Sequence, residues 1–185
     1  MSMRQILTCH ALPAPECVRR GVFPDDAPPA LPPDVPARLP DADLTLLPFG
    51  SCPPESPPHG MTGPFHPAPA LRAAAMGAWG GRALHDLPAA DLARWVSDPE
   101  FAPPGGESRT ELLHRVAEWL AALPPGPLRL NVLADATVIR AIVIAALGGT
   151  AHMLSHLDIA PHSRTVLTRH TTWRVAMTGA PPDGL

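Results

Sequence analysis

Apolar positions along the chain recur at two periods, one suited to short strands and one to helices. Met3–Thr8 is a short apolar run ending at Cys9-His10, which predicts a first strand with a histidine at its carboxyl end. Leu44–Phe49 predicts a second strand. From Pro88 to Val96, the residues Leu87, Leu92, Trp95 and Val96 recur at helical spacing, and Asp98-Pro99 stops that helix. Ser108-Arg109-Thr110-Glu111 is a capping box: the serine hydroxyl and the glutamate three residues later satisfy orphan amides at a helix start. Behind it Leu112, Leu113, Val116, Trp119, Leu120 and Leu123 line one face. Pro124–Pro127 ends the helix, and Leu128–Leu133 predicts a strand. Thr137–Leu147 predicts a nearly all-apolar helix closed by Gly148-Gly149, and Val166–Thr168 with Trp173–Met177 predict a closing pair of strands. The alternation implies an α/β fold, a three-layer sandwich whose central, mostly parallel sheet is flanked by helices. Ligands in such folds collect at the carboxyl ends of strands. His10 and Asp135 both stand at such ends, and they share a rim if their strands are neighbours.

Composition narrows the function classes. At 185 residues the chain is most simply one domain, 1–185, long enough to bury about two thirds of its unfolded surface. A net charge of -3 gives no broad basic field, which argues against nucleic acid and anionic membranes as partners. Cys9, Cys17 and Cys52 are odd in number and lack CxxC spacing, so neither a disulfide framework nor a zinc knuckle is expected, and a reducing cytoplasm fits best. No signal-like apolar segment or run long enough to span a membrane is found. Of the 27 prolines, 17 fall between Pro13 and Pro69, where each fixes φ and removes an amide donor. Residues 11–70 therefore read as a proline-rich, irregular cover, with Val22-Phe23 and Leu44-Thr45-Leu46-Leu47 as apolar anchors.

Three motifs in order carry a resemblance. The chain has Leu71-Arg72-Ala73, then Trp79-Gly80-Gly81-Arg82; Pro104-Gly105-Gly106-Glu107-Ser108 with Arg115-Val116 following; and Leu133-Ala134-Asp135-Ala136-Thr137-Val138-Ile139-Arg140-Ala141. With Cys9-His10-Ala11 these are similar to the motifs of the histidine phosphatase superfamily, in particular its phosphoglycerate mutase-like branch. The resemblance covers roughly residues 3–10 and 71–170. It implies a first histidine acting as phosphoryl acceptor, two arginines and a second histidine holding phosphate, and a glutamate acid. By position this chain has His10 for the first histidine, Cys9 for the first arginine, Glu55 (in Ser51-Cys52-Pro53-Pro54-Glu55) for the second, Asp135 for the second histidine and Ala73 for the acid.

Phosphoryl transfer to an imidazole needs positive charge on the equatorial oxygens and an acid for the leaving oxygen. A carboxylate near ~4 Å from a phosphate oxygen costs on the order of 4 kcal/mol at an effective dielectric near 20. Each lost preorganised donor costs about 3 kcal/mol in the transition state. The expectation is a degenerate site with little or no phosphatase activity, kept as a small-ligand-binding or protein-interaction module. The rival is a divergent phosphomonoesterase or mutase-like enzyme using His10. A third reading has the proline-rich stretch, such as Pro28 to Pro40, docking on another protein as polyproline II.

His10 and Asp135 are the candidate catalytic or ligand-orienting pair, since a carboxylate beside an imidazole fixes its tautomer and raises its pKa. Alternatively Asp135 only caps the following helix. Cys9, Arg19, Arg20 and Arg140 are candidate ligand-binding residues, although a strand places Cys9 on the face opposite His10. His152 and His156 have i, i+4 spacing but no acidic or cysteine partner nearby, so no metal and no cofactor is expected. Gly105-Gly106 lacks the lysine of a phosphate loop and reads as a turn feeding the cap at Ser108. The four tryptophans, at 79, 95, 119 and 173, read as core. Ligand identity and oligomeric state stay open.

Overall fold

The computed structural model describes residues 4–25, 39–48 and 65–181. Six strands form one mixed sheet in the order β3-β2-β4-β1-β5-β6. They are β1 (Gln5–Ala11), β2 (Leu44–Leu47), β3 (Phe65–Pro67), β4 (Arg129–Ala134), β5 (Arg164–Arg169) and β6 (Trp173–Ala180). β3, β2, β4 and β1 run parallel, whereas β5 and β6 are antiparallel to their neighbours. The helices are α1 (Glu16–Arg19), α2 (Ala89–Ser97), α3 (Arg109–Ala122) and α4 (Ala136–Leu147). Among the described residues no helix is long and apolar enough to cross a membrane.

Two strands lie inside the stretch read as an irregular cover. β2 is the predicted Leu44 run; β3 was not foreseen, because Phe65-His66-Pro67 carries no apolar alternation and ends in proline. Among the described residues β3 is the sheet's edge, with no ladder on one side, which suits that proline. Val22 bridges Ala83, and the Phe23 amide donates to the Arg82 carbonyl at 2.9 Å, so this anchor is tied to the chain just after Trp79.

Alternation on the strands sorts the sheet into two faces. Leu7, Cys9 and Ala11 of β1, Leu130, Val132 and Ala134 of β4 and Leu167 of β5 point to the same side and are buried with Leu112, Val116 and Leu120 of α3 and Val138, Ile139, Ile142 and Ile144 of α4. The register of β1 with β4 and β5 puts Thr8, His10, Asn131, Leu133 and Arg164 on the opposite face. α3 begins with the full capping box, Ser108 Oγ accepting from Glu111 N at 3.1 Å and Glu111 Oε2 accepting from Ser108 N at 2.7 Å. α4 stops at Gly148, whose φ of 69° supplies the left-handed cap.

A second, smaller core is aromatic. Phe23, Trp79 and Leu87 are buried together, with Trp95 and Phe101 packed on them; the Phe23 and Trp79 ring centroids are 5.2 Å apart and those of Phe23 and Trp95 5.3 Å. α2 rests on this cluster through Leu92 and Trp95. Val96, expected on the same apolar stripe, is instead 65% exposed, because one further residue rotates it off the contact face. Trp79 is core; Trp119 and Trp173 lie half-buried against the main cluster.

The two middle motifs lock together backbone to backbone. Ala78 N donates to Pro104 O at 2.9 Å and Glu107 N to Ala75 O at 2.8 Å. A side chain at Gly77 would collide with Pro104 O and Gly106 N, so this glycine is required by close approach as well as by its φ of 51°. Gly105-Gly106 is thus a docking turn, consistent with its reading as the lead into the Ser108 cap.

Candidate functional site

β1 and β4 are parallel neighbours with Ala11 opposite Ala134, which brings His10 and Asp135 to one rim at the carboxyl end of the sheet. They form neither a hydrogen bond nor an ion pair. Asp135 is the N-cap of α4, its Oδ1 accepting from Val138 N at 2.8 Å. Burial pushes its carboxyl up from the ordinary aspartate value, more strongly than the bonds from the amides of Val138 and Thr137 and the charges of Arg140 and Arg115 pull it down. The capping alternative weighed for Asp135 therefore describes its hydrogen bonding.

His10 is mostly buried on the face opposite the apolar core. Its pKa falls to about 4, chiefly through burial; a favourable contact with the Asn131 side chain opposes the drop and the nearby Arg164 charge adds to it. The imidazole is therefore neutral at pH 7. Its Nε2 is buried and without a hydrogen-bond partner, as is the Oδ1 of Asn131. Asn131 Nδ2 donates to Pro40 O at 2.8 Å, which anchors the amide. Thus Asn131 lies close enough to bias the ring, yet the two atoms do not complete a well-formed bond.

Sequence reasoning missed Arg164 and Asn131. In the antiparallel register of β1 with β5, His10 is directly opposite Arg164, so the two side chains stand side by side. No local pattern announces Arg164, which follows the polar stretch Pro161-His162-Ser163. Asn131 did carry a signal: a single polar residue inside the apolar run of β4, 2% exposed, is the kind of buried polar group that asks for a reason.

The remaining candidates lie elsewhere, and their placement corrects several expectations. Cys9 is fully buried in the main core, and burial drives its thiol pKa far up, so it faces α3 and α4 and not a ligand at the rim. Arg140 is a strut: it donates to Leu154 O at 3.1 Å, Leu157 O at 3.4 Å and Thr137 Oγ1 at 3.0 Å, and so holds the chain after α4. Arg20 pairs with Glu16 one helical turn earlier, and Arg19 beside it is exposed on α1. His152 and His156 fall on and just after the 3-10 turn Ala151–Ser155, where i, i+4 residues do not share a face; both are exposed, and no metal-holding cluster occurs among the described residues. Ser51 to Glu55, matched to the family's second arginine segment, and most of Pro28 to Pro40 lie outside the described residues.

Below the rim, Glu107 is the acidic residue that the motif retains. Arg115 grips it with two bonds, Nε to Oε1 at 2.8 Å and Nη2 to Oε2 at 2.7 Å, and Arg72 adds a third at 3.1 Å. Burial pushes the Glu107 carboxyl up, but these guanidinium groups outweigh it and hold the pKa below the ordinary value. Arg115 also donates to Ala70 O, so this cluster pins the Leu71–Ala73 segment to α3.

The fold is thus an α/β sheet with a histidine near the carboxyl end of its first strand and a capped helix after the neighbouring parallel strand. The family model of the histidine phosphatase superfamily (branch 1) matches residues 58–178, and the chain belongs to this superfamily. The fold resembles that of a candidate alpha-ribazole-5'-P phosphatase from Escherichia coli, with a TM-score of 0.74 and 18% identity over 99% of this chain and 100% of that one. It also resembles an alpha-ribazole phosphatase from Shigella flexneri (TM-score 0.69, 19% identity, 99% of each chain). A mycobacterial glucosyl-3-phosphoglycerate phosphatase has a TM-score of 0.64 and 20% identity, over 96% of this chain and 99% of that one. At these identities the likeness establishes the fold. No curated protein matches the sequence.

Proposed function

We propose that this chain uses the histidine phosphatase fold to bind a small ligand at the His10 rim and does not turn over phosphomonoesters at a useful rate. The observation that carries this reading is the chemistry around the ring. Where the family resemblance calls for an arginine there is Cys9, facing the core, and where it calls for a second histidine there is Asp135, engaged as a helix cap. His10 Nε2 is sealed from solvent, so in this conformation that nitrogen offers phosphorus no line of approach. Ala73 cannot protonate a leaving oxygen.

One observation favours a second reading, a divergent phosphomonoesterase. A phosphoryl acceptor must be a neutral imidazole with a nearby cation, and His10 is neutral with Arg164 beside it. The similar folds named above, moreover, are described as phosphatases.

Hydrolysis of p-nitrophenyl phosphate and of a panel of sugar and nucleoside monophosphates separates the two. The binding reading expects turnover by the native chain no higher than that of His10→Ala. Turnover lost specifically in His10→Ala, or a phosphorylated histidine trapped at position 10, would establish the phosphatase instead.

A further inference from the structure

We propose that the base of the sheet, at the end opposite the His10 rim, binds a small multiply charged oxyanion, held in a cavity by Arg169 and drawn there by Arg4 and Arg174. This site is independent of the rim: Gln5, which lines the cavity, and His10 stand at opposite ends of β1, on the order of 17 Å apart.

A cavity of about 220 Å³ opens where the start of β1, the link from α3 to β4 and the turn between β5 and β6 meet. It is lined by Gln5, Pro125, Gly126, Arg169, His170 and Thr171. Pockets for drug-sized ligands run to about 300–1,000 Å³, so this one suits a ligand of a few heavy atoms. Gln5 is 1% exposed, and its buried Oε1 takes no part in the binding.

Arg169 is the charged anchor. Its guanidinium stacks on the Trp173 ring, with Cζ 4.8 Å from the centroid. Its Nη2 donates to the carbonyls of Leu123 and Pro124, at 2.9 and 2.7 Å, just past the end of α3. Ring and carbonyls hold the side chain in place, so a ligand need not order it on binding. Both carbonyl bonds use Nη2, which leaves the other edge of the fork, Nε and Nη1, to meet an oxyanion.

Charge sets the class of ligand. Residues 4–6, 123–129 and 168–174, which build and flank the cavity, contain four arginines and no aspartate or glutamate, in a chain of net charge -3. Asp43 accepts from the Arg129 amide at 2.7 Å and brings a negative charge beside that arginine, which leaves Arg4, Arg169 and Arg174. Arg4 and Arg174 are exposed and make no hydrogen bond or ion pair among the described residues. Arg4 precedes Gln5, and Arg174 follows Trp173, the ladder partner of Arg169, so both stand within about two strand spacings, ~10 Å, of the lining. Arg4 is outside the lining and alternation turns Arg174 to the other face of the sheet, so both act through their field, over a Debye length of about 8–10 Å. A set of positive charges with no acid among them favours an anion of two or more charges over a single carboxylate.

The test titrates pyrophosphate, inorganic phosphate and acetate into the full chain by calorimetry at low ionic strength, with amide resonances locating the site. Pyrophosphate is expected to bind at least tenfold more tightly than acetate, with phosphate between them, and to weaken as salt is added. The amides of Gly126 and Thr171 should shift, and those of Ala11 and Ala136 at the rim should not. Arg169→Gln is expected to lose tenfold or more in pyrophosphate affinity. Because Arg169 also ties down the chain after α3, a second variant spares the fold: Arg4→Glu combined with Arg174→Glu, at two exposed positions, is expected to melt with the native chain and to bind pyrophosphate at least threefold more weakly. Acetate binding as tightly as pyrophosphate, shifts confined to the rim, no binding of any probe, or unchanged affinity in the double variant overturns the proposal.

Discussion

Arg115 and Glu107 meet in a two-point guanidinium–carboxylate contact at 2.8 and 2.7 Å, joining the Pro-Gly-Gly turn to α3 and, through the Ala70 carbonyl, to the start of the middle motif. The Glu107 side chain is only 9% exposed and that of Arg115 17%. Glu107→Gln keeps the shape but leaves a half-buried guanidinium without its counter-charge. A loss of about 2 kcal/mol in urea unfolding is expected, because removing one partner of a buried pair leaves the other uncompensated. Since the folded Glu107 carboxyl lies below its ordinary value, its contribution is present above the unfolded pKa and fades as pH falls below it. Native and variant stabilities should therefore converge in acid.

Gly77 and Gly81 offer a paired comparison, both with positive φ, 51° and 73°. An added methyl at Gly81 meets nothing within 4 Å, whereas at Gly77 it collides with the backbone of Pro104, Gly105 and Gly106. Gly81→Ala is expected to cost about 1 kcal/mol, the strain of a left-handed alanine. Gly77→Ala must in addition push the docking turn away, so its melting temperature should fall several degrees further, with the aromatic cluster loosening as judged by tryptophan fluorescence.

Burial holds His10 near pKa 4 in the folded chain, against 6.5 for an ordinary histidine. Between those values the unfolded state binds the extra proton and the folded state does not, so stability is full above about pH 6.5 and declines as pH drops toward 4. The whole effect is at most about 3 kcal/mol at one pKa unit per 1.36 kcal/mol. His10→Asn removes the titration, and its unfolding free energy is expected to be flatter across this window than that of the native chain. Parallel slopes would place the acid sensitivity elsewhere.

Asp135 separates capping from charge. Asparagine caps nearly as well as aspartate, so Asp135→Asn is expected to leave stability within about 0.5 kcal/mol of native, while Asp135→Ala loses about 1 kcal/mol with the bond to Val138 N. Burial raises the Asp135 pKa, so the folded form holds its proton to higher pH than the unfolded chain does. That charge therefore subtracts from stability as pH rises through the folded pKa, and the asparagine variant should gain on the native chain above it.

Local rules made most of the fold legible. The α3 capping box, the Gly148 stop of α4 and the apolar runs of β1 and β4 each depend on neighbours within a few residues, and they are where their spacing indicated. β3 escaped because three residues ending in proline hold no period; pairing with β2 makes them a strand. Val96 turns outward because it stands one residue past Trp95 on α2, and which side chains are covered depends on where the aromatic cluster packs, which the local period does not contain.

The site divides along the same line. Sequence by itself determined that a histidine ends an apolar strand, that an aspartate precedes a helix, and that the motifs around them carry neutral or acidic residues where the family resemblance calls for cations and an acid, since identity and spacing are properties of the chain. Tertiary structure decided the rest: that Asp135 accepts from the Val138 amide, that Cys9 faces the core, and that Arg164, 154 positions from His10, stands opposite it across the β1–β5 ladder. The physical reason is strand register. Pairing between β1 and β5 sets which side chains stand together, and it is a long-range choice that no local pattern around either residue contains.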